Sequence, residues 1–183
     1  MVKYSMYQDY FKEGLHIMFK KGETVYYGTA GVCVVSDICR SPFDKNDDRM
    51  YYVLAPKDFD NGTVIYAPAD NAQVVIRPIM TAEDANALIG SISELEPLEV
   101  VNEKHRRDEY RNALRSGEPL TLAKIIKSAY TRKKASLKMQ KKISDTDTEF
   151  DKLARKALFG ELCAALEKEN SEIECAVNSA LAK

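Results

Sequence analysis

Apolar residues along this 183-residue chain follow two different periods. As far as about Pro78 they come in short runs rich in Val, Ile and Tyr, cut by Gly, Pro, Asn and Asp. Residues 23–27, 32–38, 49–54, 64–67 and 73–77 read as five short strands, because β-branched and aromatic side chains suit a pleated sheet and the intervening types suit tight turns. The fourth run is the most sharply marked. Asn61 and Gly62 precede it, a pair suited to turn positions with φ > 0, and Pro68 ends it. Proline has no N–H for a ladder, so this strand is expected to stop at Pro68 or to lie at a sheet edge. An edge strand leaves N–H and C=O groups unpaired, and such a row is a ready docking surface for another strand.

From Thr81 the period becomes helical. Thr81 is a predicted N-cap with Glu83 and Asp84 on the first turn, followed by an apolar stripe of Ala85, Leu88 and Ile89. Residues 90–97 break that helix. Asn102 is the predicted cap of a second helix ending at Ser116 and Gly117. Pro119 opens a third, whose buried face is Leu122, Ile125, Ile126, Ala129 and Tyr130. Ser144 to Asp147 cap a fourth, with Phe150, Leu153, Ala154, Leu158 and Leu162 along one side. Ser171 and Glu174 have capping-box spacing for a last helix carrying Ile173, Val177 and Leu181. The pattern predicts an α+β chain of several domains: residues 1–17 as an extension, residues 18–80 as a small five-stranded β barrel, and residues 81–183 as a compact all-α domain. Met18 reads as a natural start, since residues 1–17 are polar, tyrosine-rich and weakly periodic.

Net charge is −1, which hides a strong internal asymmetry. Residues 104–142 hold thirteen bases against three acids, a net charge of +10. The flanks are acidic: residues 81–103 have six acids and no base, and residues 143–183 have nine acids against five bases. Such a basic block is either a surface for nucleic-acid phosphates or a solvated face balanced by its acidic neighbours. No apolar run approaches the roughly 20 residues needed to span a bilayer, and the first residues lack signal-peptide features, so a cytoplasmic protein is expected.

Little else in the chain carries chemistry. Cys33, Cys39, Cys163 and Cys175 form no C-x-x-C pair, and His16 and His105 are the only histidines. Buried thiols are favoured over a metal site, and no cofactor is expected. Gly14, Gly22, Gly28 and Gly31 make no phosphate-binding glycine pattern, and Asp47 with Asp48 reads as a solvated loop. No nucleophile and base can be paired, so the chain is read as a non-enzyme. Tyr26, Tyr27, Tyr51 and Tyr52 invite comparison with a base-stacking platform, but strand alternation turns one of each pair inward.

With these elements in order, the chain resembles the CarD/CdnL-like bacterial transcription factors, whose β module is shared with the polymerase-interacting domain of the transcription-repair coupling factor. The resemblance rests on residues 19–27 (FKKGETVYY), Gly31 with Val32, residues 51–54 (YYVL), residues 68–72 (PADNA) and Ile76 with Arg77. In the helical half it rests on the run from Tyr110 to Ser116, Gly117 and Glu118, and on residues 122–132 and 154–161. It implies an SH3-like or Tudor-like barrel that docks by strand addition on the RNA polymerase β subunit, through Val64, Ile65, Tyr66, Ala67 and Pro68 with Arg40 and Ser41. It also implies a helical domain that touches promoter DNA at the upstream edge of the melted bubble through Lys104, Arg106, Arg107 and Arg111. Lys124, Lys127 and Arg132 extend the same basic surface.

Two departures stand out. The family commonly presses a tryptophan against the minor groove just before its second α-module helix, whereas this chain has no tryptophan and residues 95–101 read LEPLEVV. Gly28 stands where the family usually has proline. The competing reading is a protein–protein adaptor that uses the same barrel edge without touching DNA.

Overall fold

The computed structural model describes residues 19–44, 46, 49–57, 62–70, 74–100 and 102–183. The expectations placed on residues 1–18, Asp47, Asp48, Asn61, Asn71, Ala72 and Val101 lie outside the described residues. The chain divides into two compact units, residues 1–79 and residues 80–183.

The first unit is a five-stranded antiparallel sheet of β1 (Thr24–Tyr27), β2 (Gly31–Arg40), β3 (Met50–Pro56), β4 (Ile65–Pro68) and β5 (Ile76–Pro78), in the order β4-β3-β2-β1-β5. Among the described residues no ladder joins β4 to β5, so the sheet has two ends. The register between β2 and β3 shifts between Val35 and Asp37, where the Ser36 hydroxyl donates to the Val53 carbonyl at 2.8 Å. Such a bulge bends and twists the long strand, letting one sheet curl over its own apolar face. That face is filled by Val25, Cys33, Val35, Tyr52, Leu54 and Ala67. Phe19 closes it, edge-on to Tyr52 with ring centroids 5.9 Å apart and its N–H donating to the tyrosine oxygen at 3.2 Å.

Gly28 explains its own departure from proline. It sits in the short turn after β1 with φ +44°, and its N–H donates to the Val75 carbonyl at 2.8 Å. A Cβ there would lie 2.6 Å from Val74 Cγ1. Proline fits neither the left-handed φ nor the donated hydrogen bond.

The second unit contains α1 (Ala82–Ser91), α2 (Arg106–Ser116), α3 (Pro119–Lys138), α4 (Asp145–Leu166) and α5 (Asn170–Ala182) among the described residues. Thr81 and Ser144 cap α1 and α4, accepting from Asp84 N–H at 3.1 Å and Asp147 N–H at 3.3 Å. Gly117 ends α2 in the left-handed conformation, and Pro119 opens α3. Helices α3 and α4 pack on each other, burying Leu122, Ile125 and Ile126 of α3 and Leu158 and Leu162 of α4, and Leu88, Tyr110, Ile173 and Val177 are buried in the same unit. Removing these side chains from water is the main force assembling the unit. Buried Glu161 accepts the Met80 N–H at 2.9 Å.

Five expectations are corrected. Residues 103–105 form a turn that Asn102 anchors through its side chain, so α2 begins at Arg106. The capping box of α5 is Glu169 with Glu172, not Ser171 with Glu174, because carboxylates suit a helix N-terminus as well as hydroxyls do. Leu153 is 40 % exposed. Val64 precedes β4 rather than lying within it. Tyr51 and Tyr52 are both buried, so neither is an open stacking surface.

Candidate functional site

β4 is the sheet edge that Pro68 foreshadowed. Its residues Ile65, Tyr66, Ala67 and Pro68 pair with Leu54, Val53, Tyr52 and Tyr51 of β3, and no described strand lies on its other side. Ile65 and Ala67 face the core, which pins the strand in register. Tyr66 and Pro68 therefore occupy the opposite face. Val64 and Tyr66 are 46 % and 38 % exposed, so side chains as well as backbone are presented at this edge.

Arg40 ends β2, and Ser41 begins the loop that follows it. The Ser41 N–H donates to the Arg49 carbonyl at 3.1 Å, while its hydroxyl accepts from the N–H groups of Phe43 and Asp44 at 3.4 and 3.3 Å. That turn lays the Phe43 ring edge-on against Tyr66 (5.6 Å between centroids) and Tyr51 (6.0 Å). Phe43 remains 73 % exposed. Arg49 covers the Tyr51 ring at 6.0 Å. Phe43 was the residue missed by sequence reasoning, although an aromatic inside the polar run 40–48 was a signal for it.

The basic block of the helical unit divides into groups held by acids and groups left in solvent. Arg106 belongs to the first. Its side chain is only 17 % exposed, donates to Glu103 at 2.8 Å and to the Ser144 hydroxyl at 2.9 Å, and lies 3.5 Å from Asp147 Oδ1. Arg132 hydrogen-bonds the other oxygen of Glu103. That bond and the nearby Arg106 charge hold the Glu103 carboxyl below its usual pKa. Beneath them Tyr110 is fully buried, and burial together with the Asp147 charge pushes its hydroxyl above the ordinary phenol value.

Arg107 pairs with Glu149 at 2.8 Å and lies 5.9 Å from the Phe150 ring, and Arg111 pairs with Asp108 at 2.6 Å. Both remain about half exposed and can reach solvent. Lys127 donates to the Ser93 carbonyl at 3.0 Å. Lys104 is exposed and Lys124 half-buried, and neither is ion-paired among the described residues. Surface ion pairs of this type exchange readily for phosphate, whereas the Arg106 network is built into the helix packing.

Among the described residues no cluster of three or more His, Cys, Asp or Glu side chains could hold a metal ion. No described helix is long and apolar enough to cross a membrane. No curated protein sequence matches the chain. A family model described as CarD-like/TRCF RID domain matches residues 19–80, the segment that holds the sheet, its open β4 edge and the Phe43 turn. Over residues 19–80 the N-terminal sheet unit is therefore similar to the CarD-like/TRCF RID domains.

Proposed function

We propose that this protein is a non-enzymatic bacterial transcription regulator that docks on the RNA polymerase β subunit by adding a polymerase strand to β4. The observation that carries the reading is the outer side of β4, on which no strand lies among the described residues, within the segment matched by the RID family. Main-chain pairing along Ile65, Tyr66, Ala67 and Pro68 supplies affinity, and alternate side chains supply specificity. Val64, Arg40 and Ser41 flank the guest strand. The SH3-like or Tudor-like barrel form belongs to the same proposal, as does a division of labour at about residue 80.

In the same proposal the helical unit contacts promoter DNA, weakly and without sequence preference, near the upstream edge of the bubble. Lys104, Arg107, Arg111 and Lys124 make the phosphate contacts, while Arg106, Lys127 and Arg132 hold the surface in shape. A reading without DNA contact, a pure adaptor, draws support from the acids that neutralise Arg106, Arg107, Arg111 and Arg132.

Ile65→Pro is expected to abolish pull-down of the β subunit while the helical unit keeps its circular dichroism. Because Ile65 also touches the core, Tyr66→Glu serves as the folded control and is expected to weaken capture at least tenfold. Undiminished pull-down by both variants refutes docking through β4. Filter binding to a forked promoter fragment, with and without polymerase, separates the two readings of the helical unit. Salt-sensitive binding supports DNA contact, and its absence leaves the adaptor.

A further inference from the structure

The C-terminal half of α3 carries a second surface that neither docking on polymerase nor the phosphate-contact set uses. Residues 132–142 contain six bases and no acid. Within that run Leu137 and Met139 are 59 % and 65 % exposed. Beside them a cleft of about 370 Å³ opens between α3 and α4, with Ala129, Tyr130, Lys133, Lys134 and Leu137 lining one wall and Ile143 at the turn. Spacings of one, three and four residues put these α3 side chains on one stripe of the helix. The opposite wall is polar, from Asp147, Asp151 and Arg155.

The acids of that wall do not set its sign. Asp151 is held by Arg155 at 2.9 Å, and Asp147 lies against Arg106. Lys133 and Lys134 have no acidic partner among the described residues, so they leave the cleft positive. The Lys134 ammonium lies 5.8 Å from the Tyr130 ring centroid. Helix α3 then stops sharply: the Lys141 N–H donates to the Ser136 carbonyl at 2.9 Å and the Gln140 N–H to the Leu137 carbonyl at 3.1 Å, around Gln140 in the left-handed conformation. This closure fixes the backbone of residues 139–141 just past the end of α3.

A helix C-terminus attracts cations, and that alone accounts for lysines here. It does not account for two large apolar side chains kept in water among them, one of which, Leu137, lines the cleft. We propose that this cleft receives an acidic amphipathic helix from a partner protein. Its apolar anchors would enter against Ala129, Leu137 and Ile143 and cover Met139, and its flanking carboxylates would meet Lys133, Lys134, Lys138 and Lys141. Charge complementarity selects this occupant. A phosphate backbone would satisfy the lysines but leave Leu137 and Met139 exposed. Apolar anchors at helical spacing in a groove with a charged rim are a general mode of peptide recognition, and methionine suits it because its side chain adapts.

The test uses the full chain, isotope-labelled for amide NMR, and a 16-residue peptide with leucines at positions i, i+3, i+4 and i+7 and glutamates beside them. A second peptide of the same charge carries serines for leucines, and a 20-base-pair duplex DNA is the third probe. Expected are shifts confined to α3, the α3–α4 turn and the facing turns of α4 with the leucine peptide, and at least tenfold weaker binding of the serine peptide. Lys133→Glu with Lys134→Glu, and separately Leu137→Ser, are each expected to weaken the leucine peptide about tenfold with unchanged circular dichroism. Equal binding of both peptides, no shifts at millimolar peptide, duplex DNA perturbing this face while the peptide does not, or self-association through Leu137 would each overturn the proposal.

Discussion

Replacing Arg106 with alanine tests whether this residue is a phosphate contact or part of the fold, and the structure gives the size of the effect. Asp147 is 4 % exposed, and the Arg106 guanidinium is its nearest countercharge at 3.5 Å. Breaking a buried ion pair by removing one partner costs about 3–5 kcal/mol, because the other charge is left in low dielectric. Two features lower that figure here. Arg106 keeps 17 % of its side chain in solvent, and Asp147 lies on the first turn of α4, where the helix dipole contributes about 0.3–1 kcal/mol to a carboxylate. The hydrogen bond to exposed Glu103 adds well under about 1 kcal/mol. The expected loss is therefore about 2–3 kcal/mol, read as a lowered urea midpoint at 222 nm, where the helices dominate the signal. Arg111→Ala, at an exposed pair, is expected to change stability by less than about 0.5 kcal/mol. Asp147→Asn placed on Arg106→Ala should recover part of the loss, with a coupling above about 1 kcal/mol. An Arg106→Ala protein as stable as its parent would refute the structural role. If the loss is found, weaker DNA binding by that variant says nothing about phosphate contact until folding is restored.

Two further outcomes follow from single groups. Gly28→Ala forces a side chain into the left-handed region against Val74, and is expected to cost about 2–3 kcal/mol; Gly28→Pro also removes the bond to Val75 and should cost more, so a thermal midpoint unmoved by either would show that the turn relaxes freely. Tyr110 has a buried hydroxyl without a hydrogen-bond partner among the described residues, so Tyr110→Phe is expected to be neutral or to stabilise by about 1 kcal/mol. Its folded pKa lies above the ordinary 10.0. The contribution of the protonated phenol is thus fully present below pH 10 and is lost as pH rises through the folded value, so Tyr110→Phe should flatten the alkaline limb of stability against pH. An unchanged alkaline limb would place that titration elsewhere.

The strands and helices were legible because local chemistry and tertiary packing agree. Pro68 cannot donate to a ladder, and β4 ends there at the sheet edge. Thr81, Ser144, Gly117 and Pro119 do at their helix ends what their side chains do in any helix. Failures arose where one local signal had a rival. Ser171 had capping-box spacing, but Glu169 and Glu172 made the same pair of bonds two residues earlier. Val64 has strand propensity, yet the β3–β4 ladder ends at the pair of Leu54 with Ile65, and Val64 stands just outside it.

The basic block shows the deeper limit. Counting charges gives one segment, but the fold divides it: four arginines meet carboxylates, while Arg115 and most of the lysines have no ion-pair partner among the described residues. Arginines 106, 107, 111 and 132 each meet a carboxylate of residues 103, 108 or 149, because a planar fork of donors can bridge neighbouring elements and keep its hydrogen bonds when half-buried. Lys133, Lys134, Lys138 and Lys141 remain in solvent, as strongly hydrated ammonium groups on flexible stems do. Sequence distance hides this division: Arg132 and Glu103 are 29 residues apart, and Arg107 and Glu149 are 42 apart. A net charge of +10 is therefore a poor measure of what a partner meets. At the end of α3, Lys133, Lys134, Lys138 and Lys141 have no ion-pair partner among the described residues, and exposed Leu137 and Met139 lie within the same run.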